Sequence, residues 1–176
     1  LNRHTATLRM RGRPKVVLAR TYEEAMALYK KYAANTLGVI SDVRFPVGGV
    51  KDAEAGFKLL RAIRSRDEYV PLIMESSEGE NRERAQAEGF RFVDKNSKKM
   101  SLDLRRMMEE HMGFGDFIFR DPKTKAEIMR IHSLKELQDN IFKIPDDSML
   151  YHISRNHMSR WLSARAIFPV SAFLKT

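Results

Sequence analysis

The chain has 176 residues, 43% of them hydrophobic, which is enough for one ordinary domain and a small second one. It has no cysteine, which excludes disulfides and thiolate metal sites and is typical of a cytoplasmic protein, and no apolar run approaches the ~18 residues of a membrane span. Its net charge of +9 raises the question of an anionic partner. A start at Leu1 without a secretory signal predicts a fragment or a processed product.

The positive charge is concentrated near the start of the chain, in a basic segment over residues 1–15. A basic arm of this kind can bind nucleic acid or acidic lipid. No aromatic residue is interleaved before Tyr22, so we favour the simpler interpretation, the solvated end of a helix whose beginning is absent. We therefore expect nucleic acid to be an unlikely partner and expect no membrane association.

Short apolar segments alternate with helical patterns over residues 16–112. Four segments are predicted to be strands: 16–19, 37–40, 71–74 and 90–93. Thr21 with Glu24 forms a capping box before the first helix, and Ser101 is a candidate cap for the last. This alternation predicts an α/β domain, with a parallel sheet flanked by helices.

The alternation stops at Gly113, and residues 113–176 predict a small α+β module. Two strands over 117–120 and 127–130 form a hairpin, and Ser133 with Glu136 forms a second capping box. Helical stripes follow, and Pro169 opens a last short helix. A module of this size needs its largest apolar side chain in the core, so we expect Trp161 to be buried.

Three residues that can carry chemistry lie at the carboxyl ends of successive predicted strands: Asp42, Ser76 and Lys95. In a parallel sheet these ends share one edge, where open α/β sheets place their sites. A carboxylate, a hydroxyl and an ammonium together suit an acyl phosphate, because the carboxylate attacks phosphorus while the other two bind its oxygens. Spacing alone leaves a simpler interpretation open, in which Asp42 is a turn residue, Ser76 a helix cap and Lys95 a solvated lysine.

Residues 16–112 resemble the receiver domain of response regulators, from its second strand onward. Ile40-Ser41-Asp42-Val43-Arg44-Phe45-Pro46 resembles the phosphoacceptor strand and its loop. The segment from Pro71 to Ser77 resembles the fourth strand with its switch hydroxyl, and Phe92-Val93-Asp94-Lys95 resembles the fifth with its lysine. The resemblance implies a flavodoxin-like fold and a histidine kinase as partner. It also implies phosphorylation of Asp42, with Ser76 and Lys95 assisting and Mg²⁺ bound by Asp42 and the backbone carbonyl of Arg44.

The chain also departs from the receiver pattern. Nothing before Val16 resembles the family's first strand with its acidic pair, Asn96 replaces a proline, and the loop over residues 47–52 is longer than usual. One carboxylate is a poor magnesium site, so we expect slow phosphorylation or none. The missing strand lies in the middle of the family's sheet, so residues 16–19 must pair elsewhere or another segment or chain must fill the gap.

The second half resembles a small uncharacterised module of large phosphoenolpyruvate synthase or pyruvate phosphate dikinase-type chains. Two segments carry the resemblance, Gly115-Asp116-Phe117-Ile118-Phe119-Arg120 and residues 151–162. It implies that this chain is a regulatory, non-enzymatic segment that works with other domains of a larger protein. The ATP-binding and phosphohistidine domains would then lie outside the chain.

Residues 151–162 also contain candidate functional side chains that can be judged without the resemblance. His152 and His157 are five residues apart, whereas two metal ligands on one helical face want a spacing of four. His152, Arg155 and Asn156 are candidates for a polar docking surface. The alternative is that Trp161 belongs to the core and His152 caps a packed turn.

The rival function is a DNA-binding response regulator, supported by the net charge. Its helix-turn-helix would cover Asp147 to Arg165, with Arg155 and Arg160 facing phosphate together with Arg165. Against it, Trp161 and Leu162 lie where a recognition helix would show polar residues to base edges. A third interpretation, an enzyme fragment, requires phosphotransfer sites outside the chain.

Overall fold

The computed structural model describes residues 15–176. These residues form two compact units, Lys15–Arg106 and Met107–Thr176. The basic segment predicted over residues 1–15 therefore lies outside the described residues, except for Lys15. Within the described part of the chain, no helix is both long and apolar enough to cross a bilayer.

The N-terminal unit is an α/β unit with a parallel sheet and a short hairpin. Its elements are α1 Tyr22–Tyr32, a 3₁₀ turn Ala33–Asn35, β1 Val39–Asp42, β2 Phe45–Val47, β3 Val50–Asp52, α2 Ala55–Arg64, β4 Leu72–Ser76, α3 Glu80–Ala87 and β5 Arg91–Asp94. Helix α4, Met100–His111, passes from this unit into the next. The parallel sheet has the order β1-β4-β5, in a register that pairs Asp42 with Glu75 and Ser76 with Asp94. The predicted α/β class with helices around a parallel sheet is thus confirmed.

The core of this unit lies between the sheet and its helices. Helix α2 buries one face, including Phe57, Leu60 and Ile63, and β4 buries Leu72 and Met74 in the same cluster. Every residue of β4 except Glu75 is buried, which is typical of a central parallel strand that needs apolar residues on both faces. The sheet therefore holds its carboxyl edge in a fixed position.

The prediction of a strand over residues 16–19 is wrong. These residues have no strand conformation, and Val16 and Leu18 are 92% and 72% exposed. An apolar run becomes a strand only when a neighbouring strand supplies hydrogen bonds, and within the described residues β1 pairs with β4 alone. The sheet consequently has three strands among the described residues.

Two local expectations are also corrected. The long loop over residues 47–52 takes part in the antiparallel hairpin of β2 and β3, which turns at Gly48 and Gly49, both with positive φ. Ser101 is not the cap of α4, because that helix already begins at Met100. The capping box at Thr21 is confirmed, since its Oγ1 accepts the N–H of Glu24 at 3.2 Å.

The C-terminal unit combines a hairpin with short helices. After the end of α4, its elements are β6 Phe117–Arg120, β7 Glu127–Ile131, α5 Leu134–Asn140, a 3₁₀ turn Ile141–Lys143, α6 Asp146–Ile153, α7 His157–Ser163 and α8 Phe168–Leu174. The predicted hairpin is confirmed, as is the capping box, in which Ser133 Oγ accepts the N–H of Glu136 at 3.1 Å. Pro169 lies in the first turn of α8, as predicted.

Trp161 is at the centre of this second core, as predicted, and is 1% exposed. Its ring packs edge-on against Phe117, and Phe119 and Ile131 belong to the same buried cluster. Its indole Nε1–H donates to the carbonyl of Gly115 at 3.0 Å, so its polar atom is satisfied as well.

A buried cation holds the chain near Gly113. The guanidinium of Arg165 lies 3.8 Å from the Trp161 ring centroid and donates to the carbonyls of Gly113 at 2.7 Å and Gly115 at 2.8 Å. Its Nε has no hydrogen-bond partner within the described structure. Burial lowers the pKa of Arg165 to about 10, so the side chain still carries its charge at neutral pH.

Candidate functional site

Asp42 and Lys95 meet at the carboxyl edge of the parallel sheet. The Nζ of Lys95, which follows β5, lies 2.7 Å from Oδ2 of Asp42, the last residue of β1. The predicted convergence of these two side chains is therefore confirmed, and Lys95 is not a freely solvated lysine. About half of the Asp42 side chain, 48%, is exposed, so the carboxylate is open to a small molecule in solution.

Glu75 is a second carboxylate at this edge that the sequence analysis missed. It is the register partner of Asp42 on β4, and its Oε1 lies 3.6 Å from Nζ of Lys95. Burial lowers the pKa of Lys95, but the hydrogen bond to Asp42 and the charges of Asp42 and Glu75 outweigh it and raise the pKa overall. One ammonium thus forms ion pairs with two carboxylates.

The backbone around Asp42 is fixed by a close approach of helix α2. The N–H of Gly56 donates to the carbonyl of Val43 at 2.9 Å. A Cβ added to Gly56 would lie 2.1 Å from the carbonyl oxygen of Asp42, so no other residue fits there without moving the helix or the loop. The N–H of Val43 in turn donates to Oδ1 of Asp42 at 2.7 Å. The position of Asp42 therefore depends on a helix–loop contact as well as on the sheet.

Ser76 lies at the same edge but is engaged elsewhere. It is buried, and its Oγ accepts hydrogen bonds from the Glu78 N–H at 3.0 Å and from Asn81 Nδ2 at 3.1 Å. It is not the N-cap of α3, which is Gly79. Both bonds use the oxygen as acceptor. The backbone N–H of Lys95 donates to the carbonyl of Ser76 at 2.9 Å, but among the described residues no hydrogen bond joins the Ser76 hydroxyl to the side chain of Asp42 or Lys95. Its hydroxyl hydrogen is the part left for a ligand.

Arg44 is part of an ion pair beside the site. Its guanidinium binds both carboxylate oxygens of Glu78, at 2.7 and 2.8 Å, and Glu78 also accepts from Asn81 at 3.2 Å. The described residues contain no cluster of three or more histidine, aspartate or glutamate side chains that could hold a metal ion. Magnesium binding by Asp42 and the Arg44 carbonyl thus stays a prediction.

The predicted docking surface in the C-terminal unit is wrong for two of its three residues. His152 and Asn156 are buried, 4% and 6% exposed. His152 accepts the N–H of Arg120 at 3.0 Å through Nε2, and Asn156, in the left-handed conformation, bonds the N–H of Thr176 at 3.0 Å. Both side chains hold the unit together, because their polar groups are used by distant parts of the same chain. Arg155 is half-buried.

A helix-turn-helix reading of α6 and α7 does not hold for Arg165, which is buried and bonds carbonyls of its own unit. Helix α7 also buries Met158, Trp161 and Leu162, so most of it faces the core. A recognition helix needs several polar side chains on an open face. Arg160, the other arginine of α7, is half-buried.

Comparisons with protein-family models, curated proteins and solved structures found no match to this chain.

Proposed function

We propose that the N-terminal unit is a receiver-like regulatory module in which Asp42 accepts a phosphoryl group. The observation that carries this proposal is the 2.7 Å contact of Lys95 with Asp42 across the carboxyl edge of the sheet. A parallel sheet places ligands at this edge, and a half-exposed carboxylate there is accessible to a phosphodonor. We include in this proposal that the α/β fold of the unit is of the flavodoxin-like type.

The chemistry follows from the three side chains. A carboxylate oxygen of Asp42 attacks phosphorus, a new O–P bond forms, and the donor's leaving group departs with the electrons of the bond that breaks. In this proposal Lys95 offsets charge on the phosphoryl oxygens, and the hydroxyl hydrogen of Ser76 is donated to one of them. The product is an aspartyl phosphate whose charge differs from that of the free carboxylate, which is a change that a partner can detect.

The donor set fits Mg²⁺ poorly. The two carboxylates at this edge, Asp42 and Glu75, already share the ammonium of Lys95, at 2.7 and 3.6 Å. Mg²⁺ requires six oxygen ligands in nearly ideal octahedral geometry. The ammonium of Lys95, which contacts both carboxylates, repels a second cation at this position. We therefore assign no step to a metal ion, and we expect this chain alone to be phosphorylated slowly.

Intact-protein mass spectrometry after incubation with acetyl phosphate tests the proposal. A minor, slowly formed phosphoryl adduct is expected in the native chain and none in Asp42→Asn. Asp52→Asn is the matched control, because Asp52 forms a comparable ion pair in the same unit, but with Lys58 and not with Lys95. An adduct that survives Asp42→Asn, or no adduct with any donor, would contradict the role of Asp42. Rapid, stoichiometric and magnesium-dependent labelling would show that the metal site is better than its geometry indicates.

We also propose that the chain serves a larger phosphoenolpyruvate synthase-type protein as a regulatory segment. The support is the resemblance carried by residues 115–120 and 151–162, which pack together in the structure through the bonds of Arg120 with His152 and of Gly115 with Trp161. Sequencing the gene on both sides of this chain tests the idea. Flanking sequence without ATP-binding or phosphohistidine domains would remove it.

A further inference from the structure

Two cations lie over the ring of one tyrosine in the C-terminal unit, and a third bonds to the neighbouring turn. Nζ of Lys125 lies 4.2 Å, and Cζ of Arg155 4.3 Å, from the centroid of the Tyr151 ring. The guanidinium of Arg120 reaches the same turn, where its Nη1 donates to the carbonyl of Lys125 at 3.1 Å. We name Arg120, Lys125 and Arg155 the Tyr151 cation cluster.

Lys125 lies in a turn where its backbone adopts an unfavourable conformation. Lys125 has φ of 62°, in the left-handed region where glycine is usual at this position of a hairpin. Its ammonium donates to the carbonyl of Pro122 at 2.5 Å while it remains over Tyr151. Asp121 fixes the turn by accepting the N–H groups of Lys123 and Thr124. A side chain held in a strained backbone conformation is a feature that functional sites share.

The cluster has no carboxylate of its own. Within the described residues, none of its three members forms an ion pair closer than 4.0 Å. Glu127, the register partner of Arg120, binds Arg130 at 2.7 Å, and the charge of Arg120 is a smaller cause of its lowered pKa. Asp121 binds the turn backbone. Both Lys125 and Arg155 lie near one centroid, so the two cations cannot be farther apart than about twice 4.3 Å. Two like charges this close repel each other, and an anion bound beside them would offset that repulsion.

The buried histidine beneath the cluster is affected by the same charge. Burial lowers the pKa of His152, and the charges of Arg120, Arg155 and Lys125 lower it further, to about 4. His152 also packs edge-on against Tyr151, with 5.0 Å between ring centroids. The three positive charges therefore act on a buried group of the unit. An anion that neutralised them would raise the pKa of His152, which can be measured.

We propose that the Tyr151 cation cluster is a binding site for the phosphate group of a small anion. Arg120 and Arg155 have N–H groups that form no bond within the described structure, and planar guanidinium groups bind phosphate through two such bonds at once. Lys125 adds a point charge. The site is independent of Asp42 and lies in the other unit.

The geometry favours a small anion over nucleic acid. Binding of single strands depends on aromatic rings that stack with bases, and two cations already lie over the ring of Tyr151. The cluster also occupies one turn and one helix end, which suits a single phosphate group better than the spaced phosphates of a duplex.

Isothermal titration calorimetry of the whole chain with pyrophosphate tests the proposal. Lys125→Met and Arg155→Met should each weaken binding by about tenfold or more, since a charge-assisted bond to phosphate is worth at least that factor. Lys143→Met is the matched control, because Lys143 is an exposed lysine of the same unit that bonds Asn140 instead. In the native chain, NMR titration should show the pKa of His152 rising when pyrophosphate is bound.

Three results would overturn the proposal. Equal weakening in Lys143→Met and Lys125→Met would mean that net charge alone attracts the anion. No measurable binding of pyrophosphate at physiological salt, with the native fold retained, would mean that the cluster binds no phosphate. Duplex DNA that binds more tightly than pyrophosphate, and loses that affinity in Lys125→Met, would assign the surface to nucleic acid.

Discussion

The imidazole rings of His152 and His157 meet inside the C-terminal unit, with their Nδ1 atoms 3.0 Å apart. Because Nε2 of His152 accepts the N–H of Arg120, its single proton must be on Nδ1. That proton is donated to Nδ1 of His157, whose own proton is then on Nε2. Both rings are therefore neutral in the folded unit, and each tautomer is determined by its partner.

This pair predicts a loss of stability in acid. Burial, with the neighbouring positive charges, lowers the pKa of His152 to about 4 and that of His157 to about 3. An unfolded chain, with histidine pKa values near 6.5, binds protons at higher pH, so stability is retained above about pH 7 and falls as the pH drops below 6.5. The expected loss is up to about 1.4 kcal/mol per histidine for each pH unit. Urea unfolding followed by Trp161 fluorescence at pH 7.5 and 5 measures it.

The double variant His152→Asn with His157→Asn should be less stable at pH 7.5 but should show a flatter dependence on pH. His132→Asn is the control, since His132 lies near the surface and pairs with Asp116 at 2.9 Å. An unchanged pH dependence in the double variant would show that other groups cause the acid sensitivity.

Gly56→Ala should destabilise the N-terminal unit by about 1–3 kcal/mol, because the new Cβ meets the Asp42 carbonyl oxygen, a backbone atom that cannot rotate away. Gly79→Ala is a matched control, since Gly79 has helical φ and ψ and no atom within 4 Å of the added Cβ. Urea unfolding followed by far-ultraviolet circular dichroism compares the two. Equal stabilities would mean that the helix shifts freely against the loop.

Asp42→Asn should change the stability of the N-terminal unit by less than about 1 kcal/mol, because ion pairs with this much exposure contribute little. The same change should abolish the slow phosphoryl adduct. Measuring both on one preparation separates a chemical role from a structural one. A loss of several kcal/mol would instead make the Asp42–Lys95 pair a structural feature.

Trp161→Ala should cost about 3–5 kcal/mol and unfold the C-terminal unit while the N-terminal unit stays folded. The ring is completely enclosed, and its N–H bond to Gly115 is lost as well. Phe142→Ala is the control, because that side chain is fully exposed at 101%. Two-dimensional NMR resolves the two units, and a native spectrum for both in Trp161→Ala would contradict the prediction.

Binding of duplex DNA should be weak, indifferent to sequence and steeply reduced by added salt, since the positive charge attracts phosphate without reading bases. Fluorescence anisotropy with two unrelated duplexes at rising salt measures this. Sequence-specific binding at physiological salt, lost in Arg155→Ala or Arg160→Ala, would restore the DNA-binding function as the better proposal.

Local signals in the sequence predicted local structure well. The capping residues Thr21 and Ser133 form their bonds within one helical turn, so three-residue spacing is enough to find them. The order of strands also placed Asp42 and Lys95 at one edge, because parallel strands align their carboxyl ends. Their 2.7 Å contact is a consequence of that topology.

Properties that depend on distant partners were not predicted. Glu75 joins the site through the register of β1 with β4, which no spacing along the chain encodes. Residues 16–19 have the composition of a strand but lack a neighbour within the described residues. His152 looked like a surface residue because its partner, the N–H of Arg120, is 32 positions earlier.

Arg165 has a consequence for the order of events during synthesis. Its guanidinium closes the C-terminal unit by binding the carbonyl of Gly115, which is 50 residues earlier. A growing chain therefore cannot complete this unit until Arg165 has left the ribosome, and the Phe117–Arg120 strand must wait with its apolar side chains uncovered. Contacts this far apart in sequence slow folding. The N-terminal unit, complete at Arg106, can fold while the rest is still being made.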